Sequence, residues 1–370
     1  MTHKMLGLAI LLCVILGTTL SLANENAIQL TNSSTLDCFW SWSPDGTKIA
    51  FTSNRSGISD IWVMDSNGSD KVQLTSAGGT FKSIWSPDGT KIAFTSNRSG
   101  NWDVWVMDSD GNNQAQLTTA CAKDLFSSWS PDGTKIAFVS DRTGNEDIYI
   151  IDGDGSNELQ LTTSLAEDYL PAWSPDGTKI AFVSNRTGNT DIWMMDGDGN
   201  KKQLTIDRAV DWLPAWSPNG VKIAFVSDRS GDLDVWVMDS DGSNMIQLTT
   251  GGLYIGRPAW SPDGKKIALY ASFNWSDTMD VWIMNNDGSN RKQLTTGREG
   301  NLYPMWSPDG KKIAFTSDPD GNIWVIPIEE IITPAKRVTP TSTPMADTPA
   351  FEAAITIFGL LTIYMMRRKR

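Results

Sequence analysis

Four aspartates occupy one position of a repeated sequence, and their carboxyl groups are the first candidates for chemistry. Each lies five residues before a tryptophan that begins a Trp-Ser-Pro stretch: Asp37, Asp124, Asp168 and Asp211. Carboxylates brought together can act as general acids and bases, as in a lyase or hydrolase, or they can contact a ligand. They can also cap a turn by accepting hydrogen bonds from nearby backbone N–H groups. The other three copies have Thr80, Ile255 and Asn301 here, so the acidic set is incomplete.

The composition argues against several classes of enzyme and partner. The only histidine is His3, in a segment that we expect to be removed, so neither a histidine-containing catalytic triad nor a histidine-ligated metal site is predicted. No P-loop or Gly-x-Gly-x-x-Gly motif occurs in the sequence. The formal net charge of −12 argues against nucleic acid, whose phosphates require clustered Lys and Arg. We therefore predict no catalytic residues, no metal and no cofactor.

The aspartates belong to a sequence repeated seven times. The repeat tryptophans are spaced 43 to 46 residues apart: Trp42, Trp85, Trp129, Trp173, Trp216, Trp260 and Trp306. A period of about 40–45 residues is typical of the four-stranded blade of a propeller. The residues leading to Trp-Ser form strand a, and Pro-Asp-Gly supplies the turn into strand b, Lys-Ile-Ala-Phe. Strand c is Asp-Ile-Trp-Val-Met-Asp, and strand d is Gln-Leu-Thr.

The ends of the repeat predict how the ring closes. The seventh copy ends at Pro327 without a Gln-Leu-Thr stretch, whereas Gln29-Leu30-Thr31 precedes the first copy. Pairing these two ends removes the open sheet edges. The prediction is an all-β, seven-bladed β-propeller of four-stranded antiparallel blades, closed by an N-terminal outer strand. The stretch Lys336-Arg337-Val338-Thr339 is a competing candidate for the same edge.

The residues at the start of strand a are predicted to surround the channel mouth. Strand a is the innermost strand of a blade, so the loop entering it opens onto the central channel. The next residue differs between copies and includes Tyr169 and Trp212. Variable residues on a constant scaffold are typical of a binding face. We predict that the four aspartates, Tyr169 and Trp212 contact a ligand. Because Trp212 and Trp102 fall outside the repeated tryptophan positions, we expect both to be exposed.

Other repeated polar residues are predicted to be structural. Five arginines each precede an aspartate by five residues, and we expect ion pairs across a short hairpin: Arg55–Asp60, Arg98–Asp103, Arg142–Asp147, Arg186–Asp191 and Arg229–Asp234. The Asp-x-Asp-Gly loops resemble calcium loops only in part, because Thr163 stands at position 12 counted from Asp152, where Glu is required. We interpret them as hairpin turns. Cys38 and Cys121 are expected to be unpaired, partly buried thiols, with a disulfide as the alternative.

Both ends of the chain carry targeting features. Residues 1–23 are typical of a signal peptide, with Lys4, an apolar stretch and Ser21-Leu22-Ala23 before the cleavage point. We assign residues 24–328 to the propeller, 329–350 to a Thr/Pro-rich stalk, and 351–370 to a short C-terminal transmembrane or sorting-signal helix with a basic tail. Export makes six sequons candidates for glycosylation: Asn32, Asn54, Asn67, Asn97, Asn185 and Asn274.

The repeat resembles the TolB-type, WD-repeat-like propeller repeats over residues 27 to about 327. TolB has six such blades and an extra N-terminal domain, and its partner binds over the channel mouth. The C-terminal segment is similar to the archaeal PGF-CTERM sorting signal, with Pro349-Ala350-Phe351 in place of the family's Pro-Gly-Phe. These resemblances imply a non-enzymatic, monomeric ring, anchored through its C-terminus on the extracellular side of the membrane. Its expected partner is another envelope protein or a cell-wall glycan. A structural surface-layer component and a carboxylate-based polysaccharide lyase or hydrolase are the alternatives.

Overall fold

The computed structural model describes residues 26–273, 278–296, 300–318 and 321–328. They form seven antiparallel sheets, six with four strands and one with five. The predicted all-β, seven-bladed propeller is thereby confirmed. The predicted signal peptide, stalk and C-terminal helix lie outside the described residues. Within the described part of the chain, no helix is long and apolar enough to cross a membrane.

The two inner strands of each blade follow the predicted pattern. Strand a spans Asp37–Trp42, Thr80–Trp85, Asp124–Trp129, Asp168–Trp173, Asp211–Trp216 and Asn301–Trp306 in blades 1 to 5 and 7, and is split into Gly252–Ile255 and Ala259–Trp260 in blade 6. Strand b spans Lys48–Ser53, Lys91–Ser96, Lys135–Ser140, Lys179–Ser184, Lys222–Ser227, Lys266–Phe273 and Lys312–Ser317.

The two outer strands complete each blade. Strand c spans Asp60–Asp65, Asp103–Asp108, Asp147–Asp152, Asp191–Asp196, Asp234–Asp239, Asp280–Asn285 and Asn322–Pro327. Strand d spans Val72–Gln73, Ala115–Gln116, Leu159–Gln160, Lys201–Gln203, Ile246–Gln247 and Lys292–Gln293 in blades 1 to 6. In blade 7, strand d is the N-terminal strand Ile28–Gln29.

The N-terminal strand closes the ring as predicted. Ile28 pairs with Val325 and Gln29 with Trp324 in antiparallel register. The next residue, Leu30, is buried, and its backbone N–H donates to the Ile323 carbonyl at 2.8 Å. The two ends of the repeat array therefore build one blade, which closes the ring.

The core lies between adjacent blades. Strand b is apolar on both faces because each blade is covered by a neighbour on either side, and Ile49, Ala50 and Phe51 are completely buried. In one cluster, Ala50 and Ile61 of blade 1 pack with Phe94 of blade 2. The repeated apolar residues are thus the contact surfaces of the ring.

The register places the functional features on one face. Asp37 pairs with Ser53, and Ser53 pairs with Asp60, so strand a begins where strand b ends and strand c begins. The d–a loops and b–c turns therefore emerge together, on what we call the mouth face. The a–b and c–d turns form the opposite face.

Candidate functional site

The four predicted aspartates lie at the mouth end of strand a, but their side chains are inside the blades. Each is completely buried. Each carboxylate is paired with an arginine of its own blade, in the pairs Arg55–Asp37 at 2.8 Å, Arg142–Asp124 at 3.1 Å, Arg186–Asp168 at 2.7 Å and Arg229–Asp211 at 2.8 Å. Burial raises the pKa of Asp211. The aspartates therefore stabilise the mouth face from inside the blades and are not exposed on it.

These pairs correct the predicted partners of the arginines. The sequence suggested Asp191 for Arg186, five residues along the chain, whereas the observed partner is Asp168. The reason is the register, in which Asp168 lies beside Ser184, the last residue of strand b. Arg186 follows that strand end by two residues and folds back over strand a, so the nearer carboxylate belongs to an earlier strand.

Each arginine is also held by the strands beneath it. The Arg186 Nε donates to Ser184 Oγ at 2.8 Å, and the guanidinium carbon lies 5.4 and 4.6 Å from the ring centroids of Phe182 and Trp193. A guanidinium fixed by an ion pair, a hydroxyl and two aromatic faces has little freedom. Blade 6 lacks an arginine in this turn, and Arg291, beside strand d, packs on Phe273 and Trp282 instead.

The aspartates at the start of strand c have a different role, which sequence reasoning missed. Asp147 is buried and accepts hydrogen bonds from Thr143 Oγ1 at 2.6 Å, Gln160 Nε2 at 3.1 Å and Thr162 Oγ1 at 3.0 Å. Thr162 Oγ1 in turn accepts from the Ile148 N–H at 2.9 Å. The network links the b–c turn, the start of strand c and the end of strand d, and it explains why Gln-Leu-Thr recurs with this aspartate. That recurrence was the available signal.

Burial affects the titration of the equivalent carboxyl groups. It raises the pKa of Asp103, Asp191 and Asp280 despite the hydrogen bonds that they accept. Unpaired buried carboxylates favour the neutral form unless donors compensate. The network therefore holds the b–c turn and the end of strand d against the start of strand c, and its stability depends on the hydrogen-bond donors of that turn and of strand d.

The two aromatic residues predicted at the mouth are buried. Tyr169 is 4% exposed and Trp212 is 8% exposed, and both belong to a cluster that spans blades 3 to 6. The expectation of an exposed Trp212 is wrong, because strand a turns this side chain between blades. Trp102 is half-buried and packs edge-to-face on Phe81, with ring centroids 6.2 Å apart.

The mouth face also exposes two large aliphatic loop residues that the sequence did not single out. Leu165, in the d–a loop before blade 4, is 99% exposed, and Ile206, in the next d–a loop, is 80% exposed. The loop around Leu165 is held from both sides. Asn145 Nδ2 donates to the Ala166 carbonyl at 2.8 Å, and the Glu167 N–H donates to Asn185 Oδ1 at 3.0 Å. Leu165 is thus an exposed apolar side chain on a loop that hydrogen bonds hold in place.

Two glutamates lie at the base of the same loop. Glu167 is the last residue of the loop, and its Oε2 accepts a hydrogen bond from the backbone N–H of Glu146, in the b–c turn of blade 3, at 2.8 Å. Burial, and then the negative charge of Glu167, raise the pKa of Glu146. The mouth face between blades 3 and 4 therefore combines an apolar tip with an acidic flank.

The remaining candidate residues are placed as follows. Four of the sequon asparagines, Asn32, Asn54, Asn67 and Asn97, are exposed; Asn185 is half-buried and Asn274 lies outside the described residues. Both described cysteines are unpaired, as predicted, but Cys121 is exposed and only Cys38 is buried. Burial raises the pKa of the Cys38 thiol.

The Asp-rich c–d loops are held by turn chemistry. Asp154 Oδ1 accepts from the Ser156 N–H at 2.9 Å, and Asp239 pairs with Lys222 at 2.8 Å. No group of three His, Cys, Asp or Glu side chains in the described part of the chain is arranged to hold a metal ion.

Comparison with known proteins identifies relatives of the fold. The model of the TolB beta propeller domain family matches residues 77–170, 166–274 and 254–353. A TolB homolog from Protochlamydia amoebophila (strain UWE25) is 42% identical over 55 residues, which are 15% of this chain and 12% of that protein. The matched segment is thus a small part of that relative's length.

Solved structures share the architecture at low identity. An oligogalacturonate lyase from Vibrio parahaemolyticus is 15% identical with a TM-score of 0.71, over 83% of this chain and 94% of that one. TolB from Acinetobacter baumannii is 23% identical with a TM-score of 0.52, over 73% of this chain and 76% of that one. At these identities the similarity is one of fold.

Proposed function

The chain belongs to the TolB beta propeller domain family, and we propose that it is a non-catalytic binding protein whose mouth face recognises a partner at the cell envelope. The observation that carries this proposal is the pair of exposed aliphatic side chains, Leu165 and Ile206, on neighbouring d–a loops. Large apolar side chains this exposed on fixed loops favour a contact site, because their burial drives association.

The buried ion pairs support binding over catalysis. The carboxylates of Asp37, Asp124, Asp168 and Asp211 are completely buried and each is neutralised by an arginine. A general acid or base must reach the proton that it transfers, within about 3 Å or through one water. In our proposal these residues act indirectly, by holding the loops that contact the partner.

The partner that we propose is another envelope protein, with a cell-wall glycan as the second possibility. Aliphatic tips such as Leu165 favour a protein surface with apolar pockets, and the acidic flank formed by Glu146 and Glu167 favours basic residues around such a pocket. The proposed location rests on the signal peptide and the C-terminal segment, both read from the sequence.

Site-specific photo-cross-linking in intact cells tests the face. A photoreactive phenylalanine analogue is placed at Leu165 or Ile206, and in matched controls at Leu159 or Ile246. The control residues are similarly aliphatic, 55% and 52% exposed, and lie at the start of strand d on the outer edge of the ring. We expect one discrete adduct from the mouth positions and none from the outer edge. Mass spectrometry of the part of the adduct that does not come from this chain then identifies a peptide or a sugar.

Equal adducts from both sets of positions would contradict recognition by the mouth face. A Leu165→Asp variant should lose the adduct formed from position 206 while keeping its thermal midpoint, because Leu165 is exposed and a surface substitution changes stability by about 0.5 kcal/mol or less. The intact mass of protein recovered from membranes tests the anchor separately, since removal of the C-terminal segment shortens the chain.

A further inference from the structure

Two cations occupy the same position of strand a in blades that are not neighbours, two residues after Thr80 and two residues after Ile255. Lys82 lies in strand a of blade 2, and Arg257 lies between the two parts of strand a in blade 6. Burial, and then the positive charge of Arg257, lower the pKa of Lys82 to about 7. Since strand a is the innermost strand of every blade, the space that these two residues share is the channel.

A repeated distortion turns this position toward the axis. The a–b register shifts between Phe81 and Ser83, which makes Lys82 a bulged residue with φ of 49°. The same position in other blades also has positive φ, at Leu170 (54°), Leu213 (55°) and Tyr303 (56°). Non-glycine residues rarely adopt this conformation, and they keep it only where the surrounding structure enforces it. The bulge is therefore a built feature that re-aims one side chain in each of these blades.

The surroundings of Arg257 are those of a channel wall. Arg257 is exposed to solvent although it lies between the two parts of the innermost strand of blade 6. An exposed side chain at this position faces the water of the channel. Arg257 Nη2 donates to the Pro214 carbonyl at 3.0 Å, which orients the guanidinium. Within the described residues, no ion pair of Arg257 with a carboxylate occurs.

The same two blades lack the buried aspartate of strand a. Thr80 and Ile255 stand at the positions that Asp37 and its equivalents occupy in blades 1, 3, 4 and 5. Blade 2 keeps Arg98 in its b–c turn without this carboxylate, whereas blade 6 lacks both members of the pair, as does blade 7, where Asn301 takes the position. Together with Lys82 and Arg257, an Arg98 that has no aspartate partner at this position makes this part of the ring more positive. In a chain with a formal net charge of −12, such a region is set apart from most of the surface.

We propose that the central channel binds the oxyanion group, carboxylate or phosphate, of a small ligand between Lys82 and Arg257. A guanidinium offers two parallel donors to an oxyanion, and an ammonium adds a point charge. The half-buried Leu170 and Leu213, at the same level of the ring, provide an apolar wall for the body of the ligand. The site is separate from the loop tips of the mouth face, so either proposal can fail without the other.

Calorimetric titration of the purified protein with two anions tests the site, at pH 6, where Lys82 with its pKa of about 7 is mostly protonated. The probes are inorganic phosphate and D-glucuronate, with the neutral methyl ester of glucuronate as the matched uncharged ligand. We expect at least one anion to bind and the ester not to bind. Which anion binds distinguishes a phosphate from a carboxylate ligand. Absence of binding by both anions up to about 10 mM would overturn the proposal.

Variants assign the binding to the channel. Arg257→Gln and Lys82→Met should each weaken anion binding by about tenfold or more, since each removes a charge-assisted contact. Arg208→Gln is the control, because Arg208 is an exposed cation in a d–a loop of the same face, and it should bind like the wild type. Unchanged affinity in both channel variants would refute the site. Circular dichroism verifies folding, and either single variant suffices if the other fails to fold.

Discussion

Arg186 Nη2 lies 2.7 Å from Asp168 Oδ2, and this aspartate is completely buried while the arginine remains partly accessible. The pair joins the turn after strand b to the first residue of strand a within one blade. Three other blades have the same arrangement, so four buried ion pairs stabilise the mouth face.

Removal of one partner of the Arg186–Asp168 ion pair should destabilise the ring. Asp168→Ala leaves the Arg186 guanidinium without its carboxylate, and breaking a buried pair in this way typically costs about 3–5 kcal/mol. We expect the lower end, because Arg186 is partly exposed. Urea unfolding measures the loss. The control Asp154→Ala, at an exposed turn, should change stability by about 1 kcal/mol or less. An equal loss in both variants would refute a stabilising role of the buried ion pair.

Blade 2 offers the opposite experiment. Arg98 faces Thr80 instead of an aspartate, its Nη2 is buried without a hydrogen-bond partner among the described residues, and burial lowers its pKa. Thr80→Asp should supply the missing carboxylate, because Thr80 pairs with Ser96 as Asp168 pairs with Ser184. A gain of about 1 kcal/mol is expected after loss of the Thr80 hydrogen bond to the Ser59 carbonyl.

The matched control for that gain is the same substitution in a blade without the arginine. Ile255→Asp in blade 6 places a carboxylate at the equivalent position but has no arginine in the b–c turn to meet it. It should destabilise, because it buries an unpaired charge. Destabilisation by Thr80→Asp as well, measured by thermal unfolding, would show that Arg98 does not accept the new partner.

The channel lysine predicts a pH dependence of stability. The folded pKa of Lys82 is about 7, below the ordinary value of 10.5, so the unfolded chain binds a proton that the folded chain releases between these pH values. This contribution makes stability rise with pH across that window, and the full penalty applies below pH 7. Lys82→Met should therefore stabilise the protein most near pH 6 and least near pH 10.

Urea unfolding of wild type and Lys82→Met at pH 6, 8 and 10 measures the difference. Lys202→Met, at an exposed lysine of strand d, is the control and should show no such trend. A difference that stays constant with pH would mean that Lys82 keeps an ordinary pKa in the folded ring.

Closure of the ring predicts that an N-terminal residue stabilises the last blade. Leu30 is 4% exposed and packs with Ile323 and Val325 of blade 7. Leu30→Ala should cost about 2–4 kcal/mol, as for other buried leucines. Leu159→Ala, at a 55% exposed position of another strand d, is the control and should cost about 0.5 kcal/mol or less. Hydrogen exchange should locate the loss in strand c of blade 7, and a loss spread evenly over the ring would argue against local closure.

The sequence by itself determined the number of blades and the order of their strands, and it favoured closure of the ring by the N-terminal strand. These features depend on local signals that recur with a fixed period, such as Trp-Ser-Pro at Trp42 and the unmatched Gln29-Leu30-Thr31, and each blade repeats the same solution. The unpaired state of Cys38 and Cys121 was also predictable, because they fall in different blades.

Only the tertiary structure decided which side chains face each other and which are buried. Arg186 pairs with Asp168 and not with Asp191, which is closer along the chain. The reason is that the antiparallel register determines which residues lie beside a turn. Trp212 is buried because a neighbouring blade covers it. Lys82 and Arg257 line the same channel because seven innermost strands share one axis, and a closed ring brings together blades that are distant along the chain.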